Sequence, residues 1–460
     1  MIPENIFREY DIRGLVDEEI TPQVTALIGK SFGTAAVEKK VRRVIVGCDA
    51  RISSPELKDA LIEGVLSTGA GVIDIGMVPT PIVYFGAYKT GCGTALMLTA
   101  SHNPPQYNGV KMMLKGHTLY GREIRDIYQS SIQGNWTTGR GSLSREDIVQ
   151  DYFHAIASHI RLQKPLKVVV DCANGIPGAF APALLRKIGC EVVELYCDVD
   201  GTFPNHPADP TRSENLADLI DAVRQTRSDV GLALDGDGDR VVSVSGDGEV
   251  ISPDRLMILF VRDILRNHPG RHILYDVKCT RLLPKEVNQS CGNAMMWKTG
   301  HSLMKAKARK TDAVFGGEMS GHYFFRDRWP GFDDGIYGGA RLCELLSGSD
   351  PVEMFRSLPD CASSGELRFF AADAHSLVSM FQEHAQFDDA AQVSSIDGIR
   401  VDFSFGFGLL RASNTAPEAV MRFEADSETQ LQAIRRRFDD ELKKLKKLDA
   451  AIDLSGFELD

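Results

Sequence analysis

The chain has 460 residues, of which 43% are hydrophobic and 25% charged, and its formal net charge at pH 7 is −11. This length exceeds what one hydrophobic core normally serves, so we expect two to four domains. The acidic balance, without a basic stripe that carries aromatic residues, excludes the usual nucleic-acid-binding surface.

Short apolar runs alternate with amphipathic stretches through most of the chain, which predicts βαβ units. The first unit has strands at 41–46 and 71–75 around a helix at 55–68, and the second opens on a strand at 167–170. A third unit begins near 252, with a helix at 255–266 before a strand at 272–275. Beyond 359 the pattern indicates an α+β domain, with strands at 366–370, 399–403 and 420–423 and a charged helix at 428–447.

A serine follows the apolar run 95–98, in the segment Thr99-Ala-Ser-His-Asn-Pro-Pro. Open α/β sheets bind ligands at the carboxyl ends of their strands, which is where Ser101 is expected. A serine hydroxyl can accept and return a phosphoryl group if cations offset the charge, and His102 and Lys111 are candidates for that help. An ordinary polar turn is the alternative interpretation.

Three carboxylates alternate with glycines after the apolar run 230–234, as Asp235-Gly-Asp-Gly-Asp-Arg240. Glycine permits a tight bend, so Asp235, Asp237 and Asp239 can face one point, and oxygen ligands of this kind suit Mg²⁺. An EF-hand is excluded because Arg240 occupies the position that requires glycine. The alternative is a solvated acidic turn, in which three crowded carboxylates would repel one another.

Two further clusters carry polar side chains between apolar runs. Glu318, Ser320 and His322 alternate between predicted strands at 312–315 and 323–325, so an extended chain would present all three on one face to sugar hydroxyls. Arg411, Ser413, Asn414 and Thr415 follow the apolar run 407–410 and could surround a phosphate group. A solvent-facing hairpin and a hydroxyl-rich turn are the respective alternatives.

These four segments, in this order, resemble the phosphoserine, metal-binding, sugar-binding and phosphate-binding loops of the α-D-phosphohexomutase family. The resemblance extends to Phe7-Arg-Glu-Tyr-Asp-Ile-Arg-Gly14, 276–281 and 298–302. It implies three related α/β domains with mixed sheets and a C-terminal α+β domain around a central active-site cleft. The domains expected on this basis are 1–146, 147–250, 251–361 and 362–460.

The resemblance also implies a role for each site residue. The catalytic group comprises Arg13, Ser101, His102, Lys111 and Arg240, and the metal ligands are Ser101, Asp235, Asp237 and Asp239. The substrate-binding residues are Tyr10, Lys278, His301, Glu318, Ser320, His322, Arg411, Ser413, Asn414 and Thr415. Mg²⁺ is the implied cofactor and a hexose 1,6-bisphosphate the implied activator.

The implied activity is phosphoryl transfer between the 1- and 6-positions of mannose or glucose phosphates, through phosphorylated Ser101 and a bound bisphosphate. Met319 is typical of the phosphomannomutase/phosphoglucomutase branch, since phosphoglucosamine mutases usually have glutamine there. A phosphoglucosamine mutase and a non-catalytic phosphosugar-binding protein are the alternatives.

The compartment is indicated by cysteines and by the absence of targeting signals. Nine scattered cysteines without a Cys-x-x-Cys pair are typical of reduced thiols, and no apolar run reaches membrane-span length. The first residues lack the basic-then-apolar order of a signal peptide. We therefore expect a cytoplasmic protein whose partner is a small phosphosugar, without nucleic-acid or membrane partners.

Overall fold

Residues 2–371, 373–413 and 418–448 are described by a computed structural model of the chain. Their strands form four sheets that follow one another along the sequence, with no strand exchanged between sheets among these residues. The first three sheets mix parallel and antiparallel pairs and carry helices, and the fourth is antiparallel. The predicted fold class is therefore confirmed.

The first sheet has the order β1-β5-β4-β2-β3-β7, and β6 pairs with β5. Its strands are β1 Ile12–Leu15, β2 Arg43–Cys48, β3 Gly71–Met77, β4 Ala95–Leu98, β5 Tyr107–Leu114, β6 His117–Thr118 and β7 Leu143–Arg145. Its helices are α1 Pro22–Glu38, α2 Ser54–Leu66, α3 Thr80–Lys89 and α4 Arg122–Gln133. Strand β4 is apolar and wholly buried, and Lys111 on β5 pairs with Met97 on β4. The serine loop, residues 99–105, follows β4 directly, so this loop and Lys111 are carried by neighbouring strands.

The second sheet has the order β12-β11-β10-β8-β9. Its strands are β8 Lys167–Asp171, β9 Glu191–Leu195, β10 Val230–Leu234, β11 Val241–Ser245 and β12 Val250–Ile251, with helices α5 Val149–His159, α6 Ala181–Lys187 and α7 Ala217–Thr226. The buried apolar run of β10 is the central strand, as the sequence predicts. The acidic loop, residues 235–240, begins directly after this strand.

The third sheet has the order β14-β13-β15-β16. Its strands are β13 His272–Asp276, β14 Asn293–Trp297, β15 Phe315–Gly317 and β16 Tyr323–Phe325. Its helices are α8 Pro253–Asn267, α9 Leu282–Gln289, α10 His301–Thr311, α11 Gly335–Ser347 and α12 Pro351–Arg356. The strand predicted from residue 312 begins only at Phe315, because Asp312 adopts a left-handed conformation (φ +52°) that ends α10.

The fourth sheet has the order β17-β21-β20-β19-β18. Its strands are β17 Ala362–Phe370, β18 Gln392–Ser394, β19 Ile399–Phe403, β20 Gly406–Ala412 and β21 Glu418–Ala425, and its helices are α13 Ala374–His384 and α14 Glu428–Leu448. This sheet and its two helices form their own apolar core, whereas one large apolar cluster joins the other three sheets. The fourth unit thus has its own core, and its contact with the third unit includes a small apolar cluster of Val277, Phe407 and Leu409.

The four-domain division stays our proposal, and β12 crosses its boundary at residue 250 by one residue. Among the described residues no helix is both long and apolar enough to cross a membrane.

Candidate active site

Ser101 lies just beyond β4 with its side chain aimed at the acidic loop of the second unit. Its Oγ donates to Asp235 Oδ2 at 2.7 Å and lies 3.2 Å from His102 Nδ1. The backbone of Ser101 is left-handed, with φ +51°, which is uncommon for a residue other than glycine. The fold therefore brings the predicted phosphoryl carrier to the predicted metal ligands, which are 134 positions away in sequence.

The acidic loop places its three carboxylates together, as the glycine spacing predicts. Asp235, Asp237 and Asp239 are fully buried, and each offers an oxygen within 4.8 Å of the others. A Cβ at Gly236 would lie 2.5 Å from the Ser101 carbonyl oxygen, and Gly238 has φ +77°. Both glycines are therefore required for this close approach.

The donor set fits a hard divalent cation. All the ligand atoms are oxygens, and Asp237 Oδ1 is buried without a hydrogen-bond partner among the described residues. A buried carboxylate oxygen without a partner is costly, and a cation would satisfy it. The site can therefore hold a metal ion.

Two side chains of the first unit hold these carboxylates. Lys111 Nζ donates to Asp237 Oδ2 at 2.7 Å and also to Asp239 Oδ2, and Thr80 Oγ1 donates to Asp237 Oδ2 at 2.5 Å. Burial opposes the charge of Lys111, but the neighbouring carboxylates outweigh it and raise its pKa. Burial and the adjacent carboxylates raise the pKa of Asp235 well above its usual range.

The acidic loop is also tied to three units through its backbone. Thr80 N–H donates to the Asp237 carbonyl at 2.9 Å, and Ile176 N–H donates to the Gly236 carbonyl at 3.2 Å. Gly335 N–H donates to the Gly238 carbonyl at 3.1 Å. The successive carbonyls of Gly236, Asp237 and Gly238 are thus bonded to the second, first and third units, in that order.

Glu318 and His322 meet because the chain turns between β15 and β16. The prediction of an extended segment is wrong here, since Gly321 N–H donates to the Glu318 carbonyl at 3.0 Å and closes a tight turn. His322 Nδ1 lies 3.0 Å from both Glu318 Oε2 and Ser320 Oγ, so the three predicted side chains still converge.

The three site histidines differ in charge. Burial opposes the charge of His322, but Asp239 and Glu318 raise its pKa to about 9, so it is a cation at neutral pH. Burial, Arg240 and Arg13 lower the pKa of His102 well below its usual range. Burial and Lys305 lower the pKa of His301, so His102 and His301 are neutral.

His301 is oriented by residues behind it. Its Nδ1 lies 2.6 Å from Asp333 Oδ2, and buried Lys305 donates to Asp333 Oδ1 at 2.6 Å. The ring stacks on His322 with centroids 5.4 Å apart and contacts Tyr10 edge-on at 5.3 Å. Tyr10 and His301 therefore lie beside the hairpin turn that carries Glu318 and His322.

Arg13 and Arg240 flank the serine loop and the acidic loop. Arg13 donates to Asn103 Oδ1 and to Asp11 Oδ2, each at 2.5 Å, and Arg240 Nε lies 3.8 Å from Asp235 Oδ2. Burial opposes the charge of Arg240, but Asp235 and Asp239 raise its pKa. Arg240 therefore places a positive charge beside the acidic loop, and Arg13 is bonded to the serine loop through Asn103.

Two cations expected to bind substrate are paired with carboxylates of the fourth unit. Lys278 Nζ donates to Glu366, and Arg411 Nε donates to Asp397 Oδ2 at 3.1 Å. The same Asp397 oxygen accepts from the Thr299 amide at 3.0 Å, which links the third and fourth units. Ser413 lies just beyond β20, whereas Asn414 and Thr415 fall outside the described residues.

Comparisons with known proteins match nearly the whole chain. Family models match residues 4–136, 150–248 and 252–361 as phosphoglucomutase/phosphomannomutase alpha/beta/alpha domains I, II and III. A fourth model, the C-terminal domain of the same family, matches residues 370–441.

Similar proteins and structures carry the same names. A phosphomannomutase/phosphoglucomutase of Pseudomonas aeruginosa is 45% identical over 446 residues, covering 96% of each chain. A phosphoglucomutase of Neisseria meningitidis is 44% identical over 95% of this chain and 96% of its own. The crystal structure of a phosphoglucomutase/phosphomannomutase family protein from Burkholderia thailandensis superimposes with a TM-score of 0.94 at 44% identity, covering 98% of this chain and 99% of that one.

Proposed function

Because this chain belongs to the phosphoglucomutase/phosphomannomutase family, we propose that it interconverts the 1- and 6-phosphates of mannose, glucose or both. It is an enzyme, an isomerase of carbohydrate metabolism that moves a phosphoryl group within its substrate. The observation that carries this proposal is the position of Ser101 Oγ, 2.7 Å from Asp235 in a buried acidic triad.

Phosphorylated Ser101 is the phosphoryl donor in this proposal. The bond between Ser101 Oγ and phosphorus breaks and a bond from phosphorus to a sugar hydroxyl oxygen forms. The hydroxyl proton passes to a neutral base, and Ser101 Oγ takes up a proton as it leaves. In the second half-reaction the other phosphate of the 1,6-bisphosphate returns to Ser101. Over the two half-reactions the enzyme returns to its phosphorylated form. A trace of bisphosphate serves as activator because it phosphorylates Ser101 when that residue has lost its phosphoryl group.

Mg²⁺ would be held by Asp235, Asp237, Asp239 and an oxygen of phosphorylated Ser101. Bound there, it supplies positive charge that stabilises the negative charge on a transferring phosphoryl group. Lys111 and Arg240 add fixed positive charge at the same place, which favours the loose transition state of phosphoryl transfer.

Proton transfer is supported by the charge state of the histidines. His102 and His301 are neutral and can accept a proton, whereas charged His322 is suited to contact a phosphate or to donate. Asp333 accepts from His301 Nδ1–H, which leaves Nε2 of that ring free to accept.

Substrate phosphate binding requires exchange of partners in the fourth unit. In the resting arrangement Glu366 and Asp397 neutralise Lys278 and Arg411. A phosphate dianion offers more charge and more acceptor oxygens than one carboxylate, so it displaces them and takes up Ser413 as well. The Asn414 and Thr415 side chains complete this shell in the proposal.

Sugar recognition is assigned to the hairpin turn. Glu318 and Ser320 contact adjacent hydroxyls, O3 and O4, in either orientation of the bisphosphate, and Lys278, His301 and Tyr10 lie beside them. The O2 hydroxyl, at which glucose and mannose differ, has no dedicated partner in this scheme. We therefore expect both sugars to be substrates.

The test is conversion of mannose 1-phosphate and glucose 1-phosphate to their 6-phosphates, with Mg²⁺ and a trace of bisphosphate. Ser101→Ala removes the carrier and is expected to abolish turnover while the variant still binds substrate. Turnover of glucosamine phosphate alone would favour the phosphoglucosamine mutase alternative. Substrate binding without turnover of any of the three sugars would favour the non-catalytic binding protein.

A further inference from the structure

A buried ion pair behind the serine loop has no place in the scheme above. We propose that Arg51 and Asp49 are positioning residues that clamp the backbone of Ser101 and so fix its side chain at the acidic triad. This inference rests on the proposed function, because it concerns the residue that carries the phosphoryl group.

All five N–H groups of Arg51 donate hydrogen bonds inside the protein. Its Nη2 donates to the carbonyls of Ser101 at 2.8 Å and Asn103 at 2.6 Å, and its Nη1 to those of Pro104 at 2.6 Å and Tyr107 at 3.1 Å. Its Nε donates to Asp49 Oδ2 at 3.1 Å. Four of the five bonds therefore end on one loop of seven residues, 101–107.

Asp49 holds the other side of Ser101. Its Oδ2 accepts from Thr99 Oγ1 at 2.7 Å, and Thr99 Oγ1 accepts from the Ser101 amide at 2.9 Å. Ser54 donates to the Oδ1 of Asp49 at 2.6 Å and fixes the carboxylate. The amide and the carbonyl of Ser101 are thus both connected to the same ion pair.

The conformation held in this way is an uncommon one. Ser101 has φ +51°, and residues with a Cβ adopt such angles only where the surroundings over-determine them. The clamp supplies that determination, with a bond on each side of the residue. Without it the serine loop would relax, and Oγ would leave the position 2.7 Å from Asp235.

The second unit closes the clamp from outside. The Phe203 ring lies over the Arg51 guanidinium, with 5.0 Å from Cζ to the ring centroid, and a Cβ at Gly201 would lie 2.4 Å from the Ala50 carbonyl oxygen. Arg51 is only 1% exposed as a result. Water is therefore kept from competing for the loop carbonyls.

A fixed position of Ser101 matters because, in the proposed reaction, the bisphosphate turns over while Ser101 stays in place. The bisphosphate must present each of its phosphates in turn to one Oγ, so errors in the position of Ser101 affect both half-reactions. A displacement of about 1 Å in a reacting group can cost about 100-fold in rate. The clamp should consequently affect kcat and leave the phosphosugar contacts, and so KM, nearly unchanged.

The test variant is Arg51→Lys, which keeps the charge but cannot make four diverging bonds to carbonyls. We expect kcat to fall about 100-fold, with KM within about threefold of the intact protein. The single-turnover rate at which hexose 1,6-bisphosphate phosphorylates Ser101 should fall by the same factor. Arg341→Lys is the matched control, because Arg341 is equally buried and paired with Asp327 at 2.9 Å, in the third unit.

Thr99→Val is the second variant and keeps the inference testable if Arg51→Lys does not fold. It removes the link between Asp49 and the Ser101 amide at nearly constant volume, and kcat is expected to fall about tenfold. The clamp is refuted if folded Arg51→Lys and Thr99→Val both phosphorylate Ser101 within threefold of the intact rate. It is also refuted if Arg341→Lys loses as much kcat as Arg51→Lys.

The outcomes separate this inference from the proposed function. If the intact protein itself is never phosphorylated at Ser101 by the bisphosphate, the proposed function fails and the clamp with it. If the intact protein is phosphorylated and turns over, but the clamp variants do so equally well, only the clamp fails.

Discussion

Replacement of Lys111 by methionine tests how the acidic loop is neutralised. Lys111 is 4% exposed and bonded to two fully buried carboxylates, so its removal leaves uncompensated buried charge. Breaking a buried pair in this way costs about 3–5 kcal/mol. At about 2–4 °C per kcal/mol for a unit of roughly 150 residues, the expected fall in the melting temperature is about 6–20 °C.

The assay is thermal unfolding of the intact protein and of Lys111→Met, each in EDTA and in saturating Mg²⁺. The metal would supply the missing charge, so the loss should be largest in EDTA and much smaller with Mg²⁺. The stabilisation by Mg²⁺ at 100 times its Kd is about 2.7 kcal/mol, which is between about half and nine-tenths of the expected loss of about 3–5 kcal/mol.

Lys58→Met is the matched control. Lys58 donates to Asp74 at 2.8 Å in a partly buried pair of the first unit that includes no carboxylate of the triad. Its loss should be the same in EDTA and in Mg²⁺. This role of Lys111 is refuted if Lys111→Met is destabilised by less than about 1 kcal/mol in EDTA. It is also refuted if Mg²⁺ recovers no more of the lost stability in Lys111→Met than in Lys58→Met.

Two further predictions concern the side chains around the triad. Thr80→Val removes the 2.5 Å bond to Asp237 that orients this ligand, so we expect the Mg²⁺ concentration for half-maximal activity to rise about tenfold or more, and an unchanged value in a metal titration would contradict the role of Thr80. His322 has its pKa raised to about 9, so its stabilising charge is fully present below pH 6.5 and is lost as the pH rises through 9. The difference in melting temperature between the intact protein and His322→Gln should therefore shrink from pH 6.5 to pH 9.5, and a constant difference would show that His322 is not charged.

Much of the fold could be predicted because its strands are apolar and its loops carry glycine and proline. The runs at 95–98 and 230–234 are strands with the predicted bounds, since nothing but burial suits four or five consecutive apolar residues. For 318–322 the sequence left a hairpin as the alternative to an extended segment, because alternation of polar residues indicates a strand unless the bend is known.

Several residues around the site could not be predicted from the sequence. Thr80 opens an apolar helix, and Arg51 stands in a short polar segment, so neither has a local pattern that indicates a function. Asp333 and Lys305 meet across 28 positions. Glu366 comes to Lys278 only through docking of the fourth unit on the third, and Asp397 and Arg411 meet across a turn within the fourth unit. Such contacts depend on tertiary structure, which residue spacing does not encode.

The backbone ties of the acidic loop have a consequence during synthesis. The Gly238 carbonyl waits for the amide of Gly335, almost one hundred positions later, while Ser101 is made long before either. A chain that ends before residue 335 therefore lacks one of the three backbone bonds that hold the acidic loop. Arg411 and the other candidate site residues of the fourth unit are made later still, so the whole site is present only once that unit has been synthesised.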